Sequence, residues 1–144
     1  MTKLMIAGLA SVVLLLGASV ARAQTGFVLI VNQSSKVSTL KRGDVSKLFM
    51  RRVTKWSDGQ EVQPVDQVAS SPTRRVFSDS VHHMDVPRVK SYWQLVVFSG
   101  RGDPPPERAS DDDIIQFVRT TPTAIGYVSA SATIVDVKVV AIKQ

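Results

Sequence analysis

Residues 118–128, VRTTPTAIGYV, decide the fold class of this chain. Pro122 cannot continue the helix that the apolar residues before it indicate, because proline lacks a backbone N–H and its ring clashes with the preceding turn. Gly126 lies inside an apolar strand pattern, where a missing side chain predicts the close approach of another backbone segment. A helix that passes almost directly into a short buried strand is typical of an α/β protein.

The rest of the chain alternates strands and helices in the same way. Residues 27–31, FVLIV, form a continuous apolar run, which predicts a central strand covered on both faces. Further strands are predicted at 62–65 and 135–142, and helices at 40–49, 71–81, 87–97 and 110–118. The pattern therefore predicts one α/β domain with a central sheet.

Two of the predicted helices begin with capping signals. Ser71 followed by Pro72 is typical of an N-cap with proline at the first helical position. Ser110 with Asp113 three residues later forms a capping box, and the acidic residues 111–113 lie where the helix dipole favours negative charge. We therefore interpret the acidic triplet as a helix start and not as a metal site.

The first residues indicate export. Lys3 precedes an apolar run over 4–20, and Ala21-Arg22-Ala23 fits a signal-peptidase site, so the sequence predicts a signal peptide over 1–23 and a domain over 24–144. A membrane anchor is the alternative, but the apolar run ends in a cleavage pattern instead of a stop-transfer cluster. The chain has no cysteine, which fits a periplasmic location.

Composition and motifs narrow the function classes. The chain carries 18 Lys and Arg against 12 Asp and Glu, a net charge of +6, which favours anionic partners, whereas the absence of a long basic stripe argues against nucleic acid. No nucleophile elbow, zinc-protease helix or phosphate loop with its lysine is present, so we expect no enzyme and no cofactor. His82 and His83 point in different directions on a helix, so with Asp79 they are interpreted as a helix end and not as a metal site.

Several landmarks, in order, resemble the substrate-binding proteins of phosphate ABC transporters, in the type II periplasmic-binding-protein superfamily. They are Asn32 after the first strand, residues 40–49 followed by the WSDG turn at 56–59, the apolar residues 62–65, Phe77, and TPTAIGYV at 121–128. Full-length members have two α/β lobes with the anion bound between them, and this chain is too short to supply both. The resemblance implies a single lobe, with a central mixed or parallel sheet flanked by helices.

The family's phosphate loop aligns with residues 67–77 of this chain. The loop carries an arginine before a Gly-Ser-Gly-Thr run at a helix N-terminus; here Gln67 replaces the arginine, while Ser70 and Pro72 replace the glycines. Pro72 removes a backbone donor, and Gln67 cannot offer the bidentate charged contact of arginine. The resemblance therefore implies a weakened anion site. Its residues are Ser70, Ser71, Thr73, Arg74 and Arg75. The alternative is that Ser71 and Pro72 only cap a helix.

Two functions remain open from the sequence. The resemblance implies an exported, periplasmic, solute-binding-protein-like module that binds phosphate, sulfate or another small oxyanion weakly, as an accessory to transport or sensing. The alternative is an envelope interaction protein that keeps the fold but binds no ligand, and that docks onto a transporter, a sensor or a second copy through the apolar third helix or the proline loop at 104–106.

Overall fold

The computed structural model describes residues 26–144. The predicted signal peptide, residues 1–23, lies outside the described residues. The strands are β1 (Phe27–Asn32), β2 (Thr39–Lys41), β3 (Gln63–Pro64), β4 (Asp66–Gln67), β5 (Glu107–Arg108), β6 (Ala124–Ser129) and β7 (Val137–Lys143). The helices are α1 (Arg42–Phe49), α2 (Pro72–Phe77), which a π-helical turn at Ser78–His82 extends, α3 (Val86–Phe98) and α4 (Asp111–Thr120).

Five strands form one mixed sheet in the order β2-β7-β1-β6-β3. Strand β1 lies at its centre and pairs antiparallel with both β6 and β7, whereas β2 and β3 run parallel to their neighbours at the two edges. Strands β4 and β5 form a separate parallel pair. The predicted α/β fold and the predicted central position of β1 are confirmed.

Helices cover both faces of the sheet because successive residues of a buried strand point to opposite sides. Leu29 and Val31 of β1 belong to an apolar cluster with Phe49 of α1 and Phe77 of α2. Ile30, between them, belongs to a second cluster, which is formed largely with α4. The two clusters place α1 and α2 on one face of the sheet and α4 on the other.

The contact predicted at Gly126 is present, but it is made by side chains and not by backbone. A Cβ atom at this position would lie 2.9 Å from methyl groups of Ile114 and Val65 and 3.1 Å from one of Val118. The missing side chain therefore lets α4 pack directly against β6. The prediction of a close approach is confirmed, and its backbone partner is corrected.

Several element boundaries differ from the sequence pattern; the last strand, for example, begins at Val137 and not at residue 135. The helix predicted from residue 40 begins at Arg42, because Leu40 lies in β2 and pairs with Ile142. The strand predicted over 62–65 shortens to Gln63–Pro64 at the sheet edge, where the N–H groups of Gln63 and Val65 donate to β6 and to the residue before it, and Pro64 takes the outward-facing position between them.

The helix starts follow the capping signals. Ser71 accepts a hydrogen bond from the Arg74 N–H at the start of α2, and Ser110 accepts one from the Asp113 N–H at the start of α4. Both predicted N-caps are therefore confirmed. Among residues 26–144, no helix has the length and apolarity needed to cross a membrane.

Candidate functional site

The candidate site lies where β4 leads into α2, beside β5 and the end of β6. Strand β4 supplies Asp66 and Gln67, which are 4% and 3% exposed. Tyr127 of β6 lies beneath them, and its hydroxyl donates a hydrogen bond to the Asp66 carboxylate. Buried polar groups need internal partners, so this corner of the fold is held by a network of polar contacts.

Arg74 is the cation at the centre of this network. The capped start of α2 directs its side chain inward, where only 5% of the residue remains exposed. Its Nη2 lies 3.2 Å from Oδ2 of Asp66 and its Nη1 lies 3.1 Å from Oε1 of Glu107. The same Nη1 donates to the Gln67 carbonyl. Both Nη atoms are thus occupied by partners within the chain, whereas the buried Nε has no hydrogen-bond partner among residues 26–144.

The side chain of Gln67 makes three hydrogen bonds within the fold. Its Nε2 donates to Oδ1 of Asp111 at 2.9 Å and to the carbonyl of Tyr127 at 3.1 Å. Its Oε1 accepts a hydrogen bond from the Ser71 hydroxyl. The position that aligns with the arginine of the phosphate loop is therefore filled by an amide whose donors and acceptor serve the fold.

Asp111 links this network to the sheet. Its carboxylate accepts hydrogen bonds from the Gln67 side chain, from the backbone N–H of Ser129 at 3.0 Å and from the Ser129 hydroxyl. The carboxylate thus joins α4 to the end of β6, in addition to its favourable place in the first helical turn.

Burial dominates the electrostatics of Asp66. It raises the pKa of the carboxyl to about 6, although the Arg74 charge and the hydrogen bonds from Tyr127 and Gln67 oppose the shift. The pKa of Tyr127 is raised in turn by its own burial and by the Asp66 carboxylate. Tyr127 therefore remains a neutral hydrogen-bond donor to Asp66.

The five residues predicted from the sequence to bind an anion occupy different environments. Ser71 caps α2 and contacts Gln67, and Arg74 is enclosed by carboxylates. Ser70 and Arg75 are exposed and Thr73 is partly exposed. The turn thus brings Ser71 and Arg74 together around Gln67, and leaves the other three side chains toward solvent.

Sequence reasoning missed the carboxyl groups of this polar network. Asp66 gave one signal, because it is a charged residue directly after the apolar residues 62–65. Glu107 and Asp111 gave none, since they lie 33 positions from Arg74 and 44 positions from Gln67. Within the described part of the chain, no three His, Cys, Asp or Glu residues are grouped to hold a metal ion.

His82 is a second buried titratable group, in the π-helical turn after α2. Its Nδ1 lies 2.8 Å from the Ser46 hydroxyl. Burial and the nearby charges of Arg74, Arg52 and His83 lower its pKa to about 4. The imidazole is therefore neutral in the folded protein at pH 7.

We expect Asp66 and His82 to give opposing pH dependences of stability. The folded-state pKa of Asp66 is raised, so its contribution to the free energy of unfolding increases as pH falls from 6.5 to 4, whereas the lowered pKa of His82 makes its contribution decrease over the same window. Each contribution amounts to about 2 kcal/mol, so the two largely cancel. His82→Gln should become more stable on acidification, and Asp66→Asn less stable.

Urea unfolding of the wild type and both variants at pH 4, 5 and 6.5 measures these slopes. If the free energies of unfolding of the two variants change in the same direction with pH, Asp66 and His82 do not make opposing contributions.

Comparisons with known proteins agree with this architecture. The family model described as a PBP superfamily domain matches residues 21–142. No curated protein sequence matches this chain.

Several solved structures share the fold. One is assigned as a phosphate ABC transporter substrate-binding protein from Clostridium perfringens, solved with bound phosphate; the match has 19% identity and a TM-score of 0.65, and covers 81% of this chain and 44% of that chain. Another is an ABC-type phosphate transport receptor from Vibrio cholerae. The match has 19% identity and a TM-score of 0.59, and covers 81% of this chain and 46% of that chain. A third is a possible phosphate binding protein from Planctomyces limnophilus. The match has 17% identity and a TM-score of 0.57, and covers 83% of this chain and 42% of that chain. This chain therefore spans less than half the length of these proteins, which fits a single lobe.

Proposed function

We propose that this chain is an exported, periplasmic, non-enzymatic lobe that acts as an interaction protein in transport or sensing. The chain belongs to the family described as a PBP superfamily domain. In this function it does not capture an oxyanion at the start of α2. The matched solved proteins are described as phosphate-binding or phosphate-transport proteins, which supports a role beside transport.

The charge balance around Arg74 carries this proposal. One guanidinium faces the carboxyl groups of Asp66 and Glu107, and Gln67 contacts a third carboxyl, that of Asp111. An oxyanion at this place would have to displace a buried ion pair and lie close to like charges, and both steps are unfavourable. The polar network therefore supports a structural role for the residues that align with the phosphate loop.

A second candidate function is weak oxyanion binding at the outer side of the same turn. Ser70, Thr73 and Arg75 reach solvent there, and their side chains make no hydrogen bond or ion pair within residues 26–144. Hydroxyl groups and a mobile guanidinium can hold a phosphate or sulfate at modest affinity. The Clostridium perfringens protein was solved with bound phosphate, which supports an oxyanion as the kind of ligand.

Thermal unfolding in phosphate separates the two candidates. For the interaction protein we expect no stabilisation by phosphate beyond that of chloride at equal ionic strength. A weak site would add about 1.4 kcal/mol at a phosphate concentration ten times its Kd, and Arg75→Gln would remove that gain. A phosphate-specific gain that Arg75→Gln abolishes would overturn the first proposal.

A double variant, Gln67→Arg with Pro72→Gly, gives a second test of the two candidates. It supplies the missing guanidinium and the missing backbone donor, so on the second candidate phosphate should bind it at least about tenfold more tightly than the wild type, whereas on the first proposal the carboxylates of Asp66, Glu107 and Asp111 keep it from binding. Calorimetry on both proteins measures the difference.

A further inference from the structure

The last turns of α3 carry the most exposed apolar side chains of residues 26–144. Phe98 is 94% exposed and Leu95 is 69% exposed, with Val97 beside them at 47%. We call these three residues the α3 tip. The opposite face of α3 is buried, where Val89, Trp93 and Val96 pack with Met50. The tip therefore projects away from the body of the protein.

Basic residues lie along α3 and directly after it. Between Asp85 and Asp103 the chain has no acidic residue, while Arg88, Lys90 and Arg101 are all exposed. Residues 86–102 thus carry three cations and no carboxylate.

A cleft of about 580 Å³ lies between α3 and the end of α1. Arg51, Arg52 and Arg101 line it together with one carboxylate, that of Asp103, so cations outnumber acids and we call it the basic cleft. The Arg52 guanidinium lies 5.5 Å from the centre of the Tyr92 ring, and the Tyr92 hydroxyl donates to the Met50 carbonyl at 3.0 Å. These contacts hold Arg52 against α3.

The cleft lies on the face of α3 opposite the tip, and both features reach the C-terminal end of the helix, where the chain folds back. Gly100 N–H donates to the Val97 carbonyl and Arg101 N–H donates to the Val96 carbonyl, both at 3.0 Å. Arg101 is thereby folded back beside the last helical turn. On the other wall, Arg51 adopts a positive φ of 52°, a conformation that favours glycine at a helix end.

Part of this charge has a structural role. The C-terminal ends of α1 and α3 both face the cleft, and cations stabilise the unpaired carbonyl groups at a helix end. Arg51 also lies 3.7 Å from Glu61. Arg52 and Arg101 have no carboxylate partner within residues 26–144, so they remain able to contact an external anion.

We propose that the α3 tip and the basic cleft dock onto an anionic lipid bilayer, with the tip at the acyl boundary and the arginines at headgroup phosphates. Exposed Phe and Leu next to Lys and Arg are the combination that binds such an interface. This inference rests on the proposed export, which brings the protein to an envelope membrane.

The size and charge of the surface favour a bilayer over a protein. A standard protein interface uses about 20–30 residues on each side, whereas only three apolar residues form the tip. Each side chain that enters a bilayer contributes independently of any complementary pocket. A second copy is also disfavoured, because a symmetric contact through α3 would bring the basic residues of both copies together.

Vesicle co-sedimentation tests the proposal, with the chain beginning at Gln24 because it retains all of the described fold and omits the apolar residues 4–20. We expect binding to vesicles of equal phosphatidylglycerol and phosphatidylcholine. Binding should be at least about tenfold weaker to pure phosphatidylcholine, and should decrease as salt is raised, since salt screens the charges.

Matched variants show whether vesicle binding depends on the α3 tip and on the basic cleft. Leu95→Ser with Phe98→Ser should weaken vesicle binding at least about tenfold, while Val139→Ser, at a half-exposed valine on β7, should leave it unchanged. Arg52→Gln with Arg101→Gln should weaken it more than Lys36→Gln with Lys55→Gln, which removes the same charge elsewhere. Circular dichroism checks that each variant folds.

Three outcomes would overturn the proposal. The wild type could fail to bind anionic vesicles, the α3-tip variant could bind as well as the wild type, or sedimentation equilibrium could show a dimer that the tip variant abolishes without any vesicle binding. None of them depends on phosphate, so failure here is distinguishable from failure of the proposed function.

Discussion

Arg74→Met is expected to lower the free energy of unfolding by about 3–5 kcal/mol at pH 8, because it leaves a buried carboxylate without its charged partner. Asp66 retains the hydrogen bonds from Tyr127 and Gln67, but these do not replace a guanidinium at 3.2 Å. Burial already raises the pKa of Asp66 to about 6. Loss of Arg74 raises it further, so the variant should lose less stability at pH 5, where the carboxyl takes up a proton.

The neighbouring arginine provides the control. Arg75→Met removes the same charge from an exposed position of the same helix, and we expect a change within about 0.5 kcal/mol. Urea unfolding of both variants at pH 5 and pH 8 gives the comparison. Equal stabilities for Arg74→Met and Arg75→Met at pH 8 would show that the buried pair does not hold this corner of the fold.

Gly126→Val is expected to destabilise the protein by about 3 kcal/mol or more, because its side chain has no space between α4 and β6. Even the first added atom would lie 2.9 Å from Ile114 and Val65, so α4 would have to move away from the sheet. Gly126→Ala should cost less, about 1–3 kcal/mol.

Gly43 in α1 is the matched control for Gly126. A Cβ atom there meets no other atom within 4 Å, and alanine favours a helix over glycine, so Gly43→Ala should stabilise the protein by up to about 1 kcal/mol. Thermal unfolding measures all three variants. A Gly126→Val variant that melts with the wild type would mean that α4 does not pack against β6 as described.

Local patterns account for what could be predicted of the fold. The apolar run of β1 implied burial on both faces, and the sheet places this strand at its centre. Ser71 and Ser110 predicted the starts of two helices, because an N-cap depends only on residues three positions apart. The boundaries at Leu40 and Val62 were less accurate, since pairing with distant strands decided them.

The candidate site was predicted only in part for the same reason. The sequence identified the turn at 70–75 and the replacement of arginine by Gln67. It did not identify the partners of Arg74, because Glu107 is brought to it only by the parallel pairing of β4 with β5. Whether a charge is free to bind a ligand depends on such distant neighbours, and no local pattern records them.

The apolar third helix illustrates the same division. The sequence alone determined that residues 87–97 form a helix with apolar residues, because the period of those residues is a local property. Only the tertiary structure decided that Trp93 and Val96 are buried while Leu95 and Phe98 face solvent. The physical reason is that the exposure of a side chain is set by what packs against the helix, and Met50 of the α1 end covers one face only.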